Sequence, residues 1–375
     1  MRGGENVFPT GRPALPEDVV DREDFVREAV EHLATGHDLM LAGPRRIGKS
    51  SIAGEIMRRM HERGAYVTYV DAFHATSLET FATRMMQAAL EPRTGIFRQA
   101  AKTAEVLRQW LGRAKIAAKI HDLELGIELK QAQSTPEILL ELALTTAERI
   151  AQADDRRLVF VIDEFQDVFR FGAEGALKLM RATIQQQRNT VYLFLGSQMD
   201  LMQDIFTNPK RAFFRFALQM KLPAIPWDEW VAYIEDRLGK YNLTITAQAL
   251  DMIQEKTGGH PHCVMLVAEQ AFSIVRLRKG KAISADDVLK GYESAFESLN
   301  HLYAQQWLAV RQQAHHAAVL EAIADGRKPY SANVKDNRIE EGLKRLIDMG
   351  IITREGRGDY RLIEPMFGQW IRGLR

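Results

Sequence analysis

The sequence predicts an α/β fold: a buried parallel sheet carrying a phosphate-holding loop, then a helical set, then two helices followed by a two-stranded wing. Three observations predict it. Four short runs, HDLMLAG, YVTYVDAF, RLVFVIDEF and VYLFLGSQ, are apolar almost throughout, as strands are when helices cover both faces of a parallel sheet. The segment GPRRIGKSS, residues 43–51, directly follows the first run and directly opens a helix. Beyond Pro226 the patterns are helical until IITREGRGDYRLIEP, two short runs around a Gly-rich tip.

The elements follow in order. Residues 1–20, with Pro9, Pro13 and Pro16, read as an extended lead-in, and 21–225 as the sheet domain. DREDFVREAVEHLATG is a helix closed by Gly36, HDLMLAG a strand, SIAGEIMRRMHERG a helix ending at Gly64, and YVTYVDAF a strand rich in aromatic and β-branched residues. Residues 91–135 read as an insertion: RQAAKTAEVLRQWLGRAK is helical, while KIAAKIHDLELGIELKQAQ fits either a ribbon of strands or a helix. Pro136 starts the helix PEILLELALTTAERIAQ, which returns the chain to the strand at 158. Residues 226–300 form four helices, the last opened by Ser284 and Asp287 as a capping box, and 301–375 match the order of a winged helix.

At 375 residues the chain exceeds the roughly 250–300 at which single cores split, so two or three domains are expected. With 50 basic against 49 acidic side chains, any contact with nucleic acid must come from a local patch. A lone cysteine, Cys263, forms no internal disulfide; the opening residues have no apolar signal region and no apolar string spans a bilayer, so a cytoplasmic protein with no membrane contact is expected.

Gly43, Gly48, Lys49 and Ser50 fulfil G-x-x-x-x-G-K-[ST]. The glycines let backbone N–H groups curl around phosphates at a helix N-terminus, Lys49 adds a positive charge, and Ser50 offers a hydroxyl to Mg²⁺. The nucleotide contacts are therefore placed on Gly43, Pro44, Arg45, Arg46, Ile47, Gly48, Lys49, Ser50 and Ser51. In VFVIDEF the acids Asp163 and Glu164 emerge at a strand end, Asp163 to hold Mg²⁺ with Ser50 and Glu164 to polarise an attacking water. Together these imply ATP and Mg²⁺ as ligands and ATP hydrolysis as the reaction.

Further residues carry readings beside plainer alternatives. Ser197 and Gln198, at the end of VYLFLGSQ, either sense the γ-phosphate or form a simple turn. Arg215 either neutralises transition-state charge, in its own subunit or across an interface, or is an ordinary surface arginine. In TGGHP the turn leading to Pro261 brings backbone near the adenine or ribose, or merely starts a helix. His260, His262 and Cys263 lack a second ligand pair, which argues against zinc.

In the last domain 12 Lys and Arg face 9 acids. Arg338, Lys344 and Arg345 lie on the second helix and Arg354, Arg357 and Arg361 on the wing, where phosphate and minor-groove contacts with double-stranded DNA would fall; Glu340 and Glu341 weaken that reading, and protein docking is the alternative.

NVFPTGRP with VVDRE, GPRRIGKSS, VIDEFQ, GSQMDLM with NPKRAFFR and KLPAI, TGGHP, and PMFGQWIR together resemble the archaeal ATPase family, AAA+-related P-loop ATPases bordering the STAND signalling and origin-recognition initiator ATPases. The resemblance covers residues 6–375 and implies an AAA+-like P-loop sheet with a helical lid and a C-terminal winged helix. It implies phosphate and metal binding by Lys49 and Ser50, metal binding by Asp163, water activation by Glu164, and for Arg215 the place of the arginine after the sensor strand. The sequence departs from it at Asp21-Arg22, where relatives usually have Gly-Arg, and at Phe213-Phe214, where they tend to carry glycine. Since the loop backbone holds the phosphates, Arg45 and Arg46 can point outward, to a neighbouring subunit, the sensor segment or a nucleic-acid phosphate.

The expectation is an ATP-binding and hydrolysing switch, slow or stimulated by a partner, that couples nucleotide state to a DNA-binding winged helix and forms a homo-oligomer or binds a protein partner. The alternative is a signalling or defence ATPase whose winged helix makes protein contacts. A small-molecule kinase fits less well, given two adjacent acids on one strand; the chain lacks the N-K-x-D of GTPases and the LSGGQ of ABC subunits.

Overall fold

Five parallel strands form the centre of the molecule in the order β2-β5-β6-β1-β7. A computed structural model describes residues 7–11, 14–91, 115–120, 123–128, 135–171, 174–356 and 358–374. The strands are β1 (Leu39–Ala42), β2 (Tyr66–Asp71), β5 (Leu158–Asp163), β6 (Thr190–Gly196) and β7 (Leu218–Lys221). All six residues of β5 and all seven of β6 are buried, which is why neither alternates polar with apolar. Register pairs Asp71 with Asp163 and Ala42 with Gly196, so the polar exits of four strands meet along one edge.

Helices cover both faces: α1 (Glu23–Ala34) and α2 (Lys49–Glu62) on one, and α3 (Leu78–Leu90), α4 (Pro136–Ala153), α5 (Glu174–Ile184) and α6 (Met199–Thr207) on the other. Ser77 caps α3 by accepting from the Thr80 amide, and Thr135 with Pro136 starts α4. Within the expected insertion β3 (Lys115–Ile120) and β4 (Leu123–Glu128) pair antiparallel, so the ribbon reading holds there. The helix expected over RQAAKTAEVLRQWLGRAK lies outside the described residues.

The helical part comprises α7 (Trp227–Gly239), α8 (Ala247–Thr257), α9 (Pro261–Leu277) and α10 (Ala285–Arg311). Ser284 and Asp287 form the expected capping box, each side chain bonding the other's backbone amide. Strands do not stop altogether beyond Pro226: β8 (Thr244–Ile245) and β9 (Ala282–Ile283) pair over two residues. The helix α10 runs unbroken past residue 300, where a boundary was expected. Beyond it come α11 (Ala314–Ala324), α12 (Asp336–Asp348), the antiparallel hairpin β10 (Ile352–Gly356) and β11 (Asp359–Leu362), and α13 (Pro365–Gly373).

One apolar core joins α7–α10 to this last unit; Tyr303 and Trp307 of α10 belong to it together with Phe367 and Trp370 of α13. The lead-in belongs to it as well. Val7 and Phe8 are almost fully buried there, the Phe8 amide donates to Glu269 at 2.9 Å, and Asp18 pairs with Arg237 and accepts from the Tyr233 hydroxyl. Residues 7–11 and 14–20 of the expected extended lead-in are thus a strap over the helical part. Its prolines keep it from forming α-helix, with a short 3₁₀ turn at Pro16–Asp18; its hold on α7 and α9 comes from side chains more than 200 positions away and leaves no local pattern.

Candidate nucleotide site

The loop between β1 and α2 turns on two glycines. Gly48 adopts φ +98, which favours glycine, while a Cβ on Gly43 would lie 2.5 Å from Ile47 Cδ1 and push that side chain aside. Lys49 opens α2 with only 6% of its surface exposed, and its ammonium donates to the Gly43 and Pro44 carbonyls, each at 2.7 Å. Burial pushes it down to about 8, against the pull of Glu164 and Asp163.

Opposite stands the end of β5. Asp163 Oδ2 accepts from the Ser50 hydroxyl at 3.2 Å and from the Tyr69 hydroxyl at 2.7 Å. Glu164, at φ +49, occupies a left-handed backbone conformation that few non-glycine residues adopt, consistent with a position held by its surroundings. Its Oε2 accepts from the Ser197 amide at 3.0 Å, the Ser197 hydroxyl at 2.7 Å and Gln166 Nε2 at 2.6 Å. Burial raises the Glu164 carboxyl, but these donors together with the Lys49 charge outweigh it and hold it below the usual glutamate value.

A cavity of about 500 Å³ lies between these groups, the strap and the helical part. Arg45, Arg46, Ile47, Gly48, Lys49, Ser50, Ser51, Asp163, Glu164 and Pro261 line it, so the loop, the two acids and the proline of TGGHP lie around one cavity. Trp230 of α7 and His262 of α9 complete the wall on the helical side. Arg22 also lines it: it is 5% exposed, and its Nη1 is buried without a hydrogen-bond partner among the described residues. A buried guanidinium with an unpartnered N–H, next to Asp21 alone among the described residues, is a reason for the cavity to take an anion.

Some assignments change. Ser51 turns its hydroxyl to the strap, where it accepts from the Ala14 amide at 2.9 Å, because α2 points that face toward residues 14–18. At the end of β6 Ser197 reaches Glu164, while Gln198 stands at the start of α6 outside the cavity lining. Arg215 is also outside it. Phe213 is fully buried among Phe165, Phe194 and Phe206, with ring centroids 5.2–5.6 Å away, which anchors the segment. Arg215 itself takes φ +51 and lies over the Phe214 ring. His260, His262 and Cys263 do not gather as metal donors.

Gln166, Tyr69 and Arg22 were given no role from the sequence. VIDEFQ contains Gln166, but that its amide turns back to Glu164 follows from the 3₁₀ turn Phe165–Phe171. Asp21, standing where relatives usually carry glycine, takes φ +41, the conformation that favours glycine, and so places Arg22 in the cavity wall. Arg46 makes its contact within its own chain: its Nη1 donates to Glu364 at 3.0 Å, just before α13.

Residues 21–195 match the family of AAA ATPase domains. That segment is similar to AAA ATPase domains. Over the whole chain, the Walker-type ATPase of Pyrococcus abyssi has the same fold, with a TM-score of 0.71 at 17% identity, covering 98% of this chain and 99% of that one. The Aeropyrum pernix ORC2 protein, solved in ADPNP–ADP complexes, gives a TM-score of 0.60 at 16% identity over 99% and 98% of the two chains. The Aeropyrum pernix ORC1 protein, solved in complex with DNA, gives 0.51 at 15% over 95% and 93%. No curated protein matches. The matched segment thus includes β1, the loop, β2, β5 with its acids and most of β6, and the fold likeness runs on through the helical part and the C-terminal unit. Among the described residues no helix is long and apolar enough to cross a membrane.

Proposed function

We propose that the chain is an ATP-hydrolysing switch whose nucleotide state governs a C-terminal winged helix, formed by α11, α12, the β10–β11 hairpin and α13. The observation that carries the reading is the 3.2 Å contact of Ser50 with Asp163, which brings together two motifs 113 residues apart across a cavity walled by the buried cations Lys49 and Arg22.

The loop amides and Lys49 hold the phosphates, exchanging the Gly43 and Pro44 carbonyls for phosphate oxygens. Ser50 and Asp163 offer the hard oxygen donors that Mg²⁺ prefers; when bound, Mg²⁺ neutralises charge on the β- and γ-phosphates. Glu164 takes a proton from the attacking water. Three donors on one of its oxygens keep it ionised and make it a weak base, which favours slow turnover until Ser197 and Gln166 release it. Arg215, turned from its own cavity, fits a role toward a second copy better than one in its own site.

Replacing Glu164 with Gln preserves the hydrogen-bonding shape and removes the base. Nucleotide affinity should stay within about threefold while ADP formation falls by about 10²–10⁴. Calorimetry with Mg-ATP and a phosphate-release assay read the two, and a variant that turns ATP over at the wild-type rate rejects Glu164 as the base.

The DNA reading and the protein-docking reading divide at α12, which packs on α6 of the ATPase domain. There Asp200 is raised by burial and by Asp348, and lowered by Lys344 and Arg354, so two of the basic groups expected on DNA face the domain itself. That contact favours a C-terminal unit docked on the ATPase domain, with DNA binding reserved for a released state.

A further inference from the structure

We infer that Glu364 is a positioning residue of the nucleotide site: it holds Arg46, so that a bound triphosphate and the C-terminal helix α13 compete for the same cation, an inference resting on the nucleotide function proposed above. Arg46 sits among the free positions of the phosphate loop and lines the cavity, yet its guanidinium is paired with a carboxylate 318 residues away. It adopts φ +65, an unusual conformation for a residue with a side chain, and is thus displayed from the loop.

The junction is poorly satisfied apart from this pair. Glu364 keeps 13% of its side chain exposed, and its second oxygen, Oε2, is buried on the side of the Tyr303 hydroxyl, away from any second cation among the described residues. Beside it both ring nitrogens of His260 and Nε2 of His262 are buried without a hydrogen-bond partner among the described residues. Burial pushes His260 down to about 4 and lowers His262, so neither imidazole supplies a cation at neutral pH. Arg46 is the charge that meets Glu364 there.

Buried polar groups without partners make a contact costly to keep and easy to open. A triphosphate arriving in the cavity brings several negative charges to a loop whose arginine is already shared. Whatever Arg46 gains from phosphate it loses from Glu364, which loosens α13 and with it the C-terminal unit. Reciprocity then requires that loosening α13 tighten nucleotide binding.

That sign gives the test, run on the full chain with Mg-ATP by calorimetry. Glu364→Gln should bind ATP about fivefold or more tightly than wild type. In an Arg46→Gln background the same change should add nothing, since the competitor is gone. Hydrogen exchange over residues 358–374 should rise in Glu364→Gln without nucleotide and in wild type on adding ATP. Glu341→Gln, an exposed acid of α12, should leave affinity unchanged. A merely structural role for Glu364 predicts weaker binding, or none of the dependence on Arg46; either result in a folded variant, or unchanged affinity, overturns the assignment. Wild-type protein that binds no ATP at all would instead refute the nucleotide function, and the exchange of Glu364→Gln without nucleotide would still report whether the ion pair holds α13.

Discussion

Asp38 shows how one side chain ties stability to pH. It stands at the start of β1 and accepts from the Tyr192 amide at 2.8 Å. Burial pushes its carboxyl up to about 7, with the Tyr192 amide acting in the opposite direction. The folded chain therefore keeps a proton that the unfolded chain, with an ordinary aspartate, releases near pH 4. The stability this lends is full below the unfolded value and is lost as pH rises through about 7. Asp38→Asn keeps an acceptor for Tyr192 and removes the charge. Its melting temperature should exceed that of wild type by more at pH 8 than at pH 5, as followed by circular dichroism; an equal difference at both pH values would show that Asp38 carries no such proton.

At the scale of elements, close approach decides which helices can meet. α9 and α10 touch at Gly291, where a Cβ would lie 2.7 Å from the Ala271 nitrogen and 3.0 Å from its Cα. Backbone cannot step aside as a flexible side chain can. Gly291→Ala should cost about 1–3 kcal/mol in urea denaturation. Gly175→Ala, on α5 with nothing within 4 Å, should instead gain up to about 1 kcal/mol from helix propensity.

The same scale explains what the sequence could and could not convey. β5 and β6 were legible because burial on both faces forces continuous apolar runs, and the loop was legible because its motif carries glycine at 48, where the backbone takes a positive φ. The edge strand β7 was not, since LQMK shows three exposed residues and one half-buried and so carries no core signal. Of the site, Lys49, Ser50, Asp163 and Glu164 announced themselves by motif. Tyr69 and Glu364 did not, because hydroxyl and carboxylate contacts over 94 and 318 positions depend on how the elements assemble.

At the scale of the molecule the question is whether the basic face of the C-terminal unit is available. α12 rests on α6, while Arg354 of β10 lies over the Tyr360 ring of β11 and faces Asp200 across that contact. Arg357 lies outside the described residues. If DNA is the partner, duplex binding should be stronger with Mg-ATP than without, should weaken with salt in proportion to the phosphates contacted, and should show a shallower salt slope, by about 0.9, in Arg354→Ala. Fluorescence anisotropy at several salt concentrations measures all three. No salt-sensitive binding in either nucleotide state would leave the protein-docking reading.

The strap ends at one of two joints between the halves of the molecule. The chain passes from the helical core at Val20 to the sheet core at Phe25, and back again between Leu222 and Trp230. Val20 and Arg22 of the first crossing and Ile225 and Trp230 of the second all line the same cavity, so both joints between the halves sit at its wall.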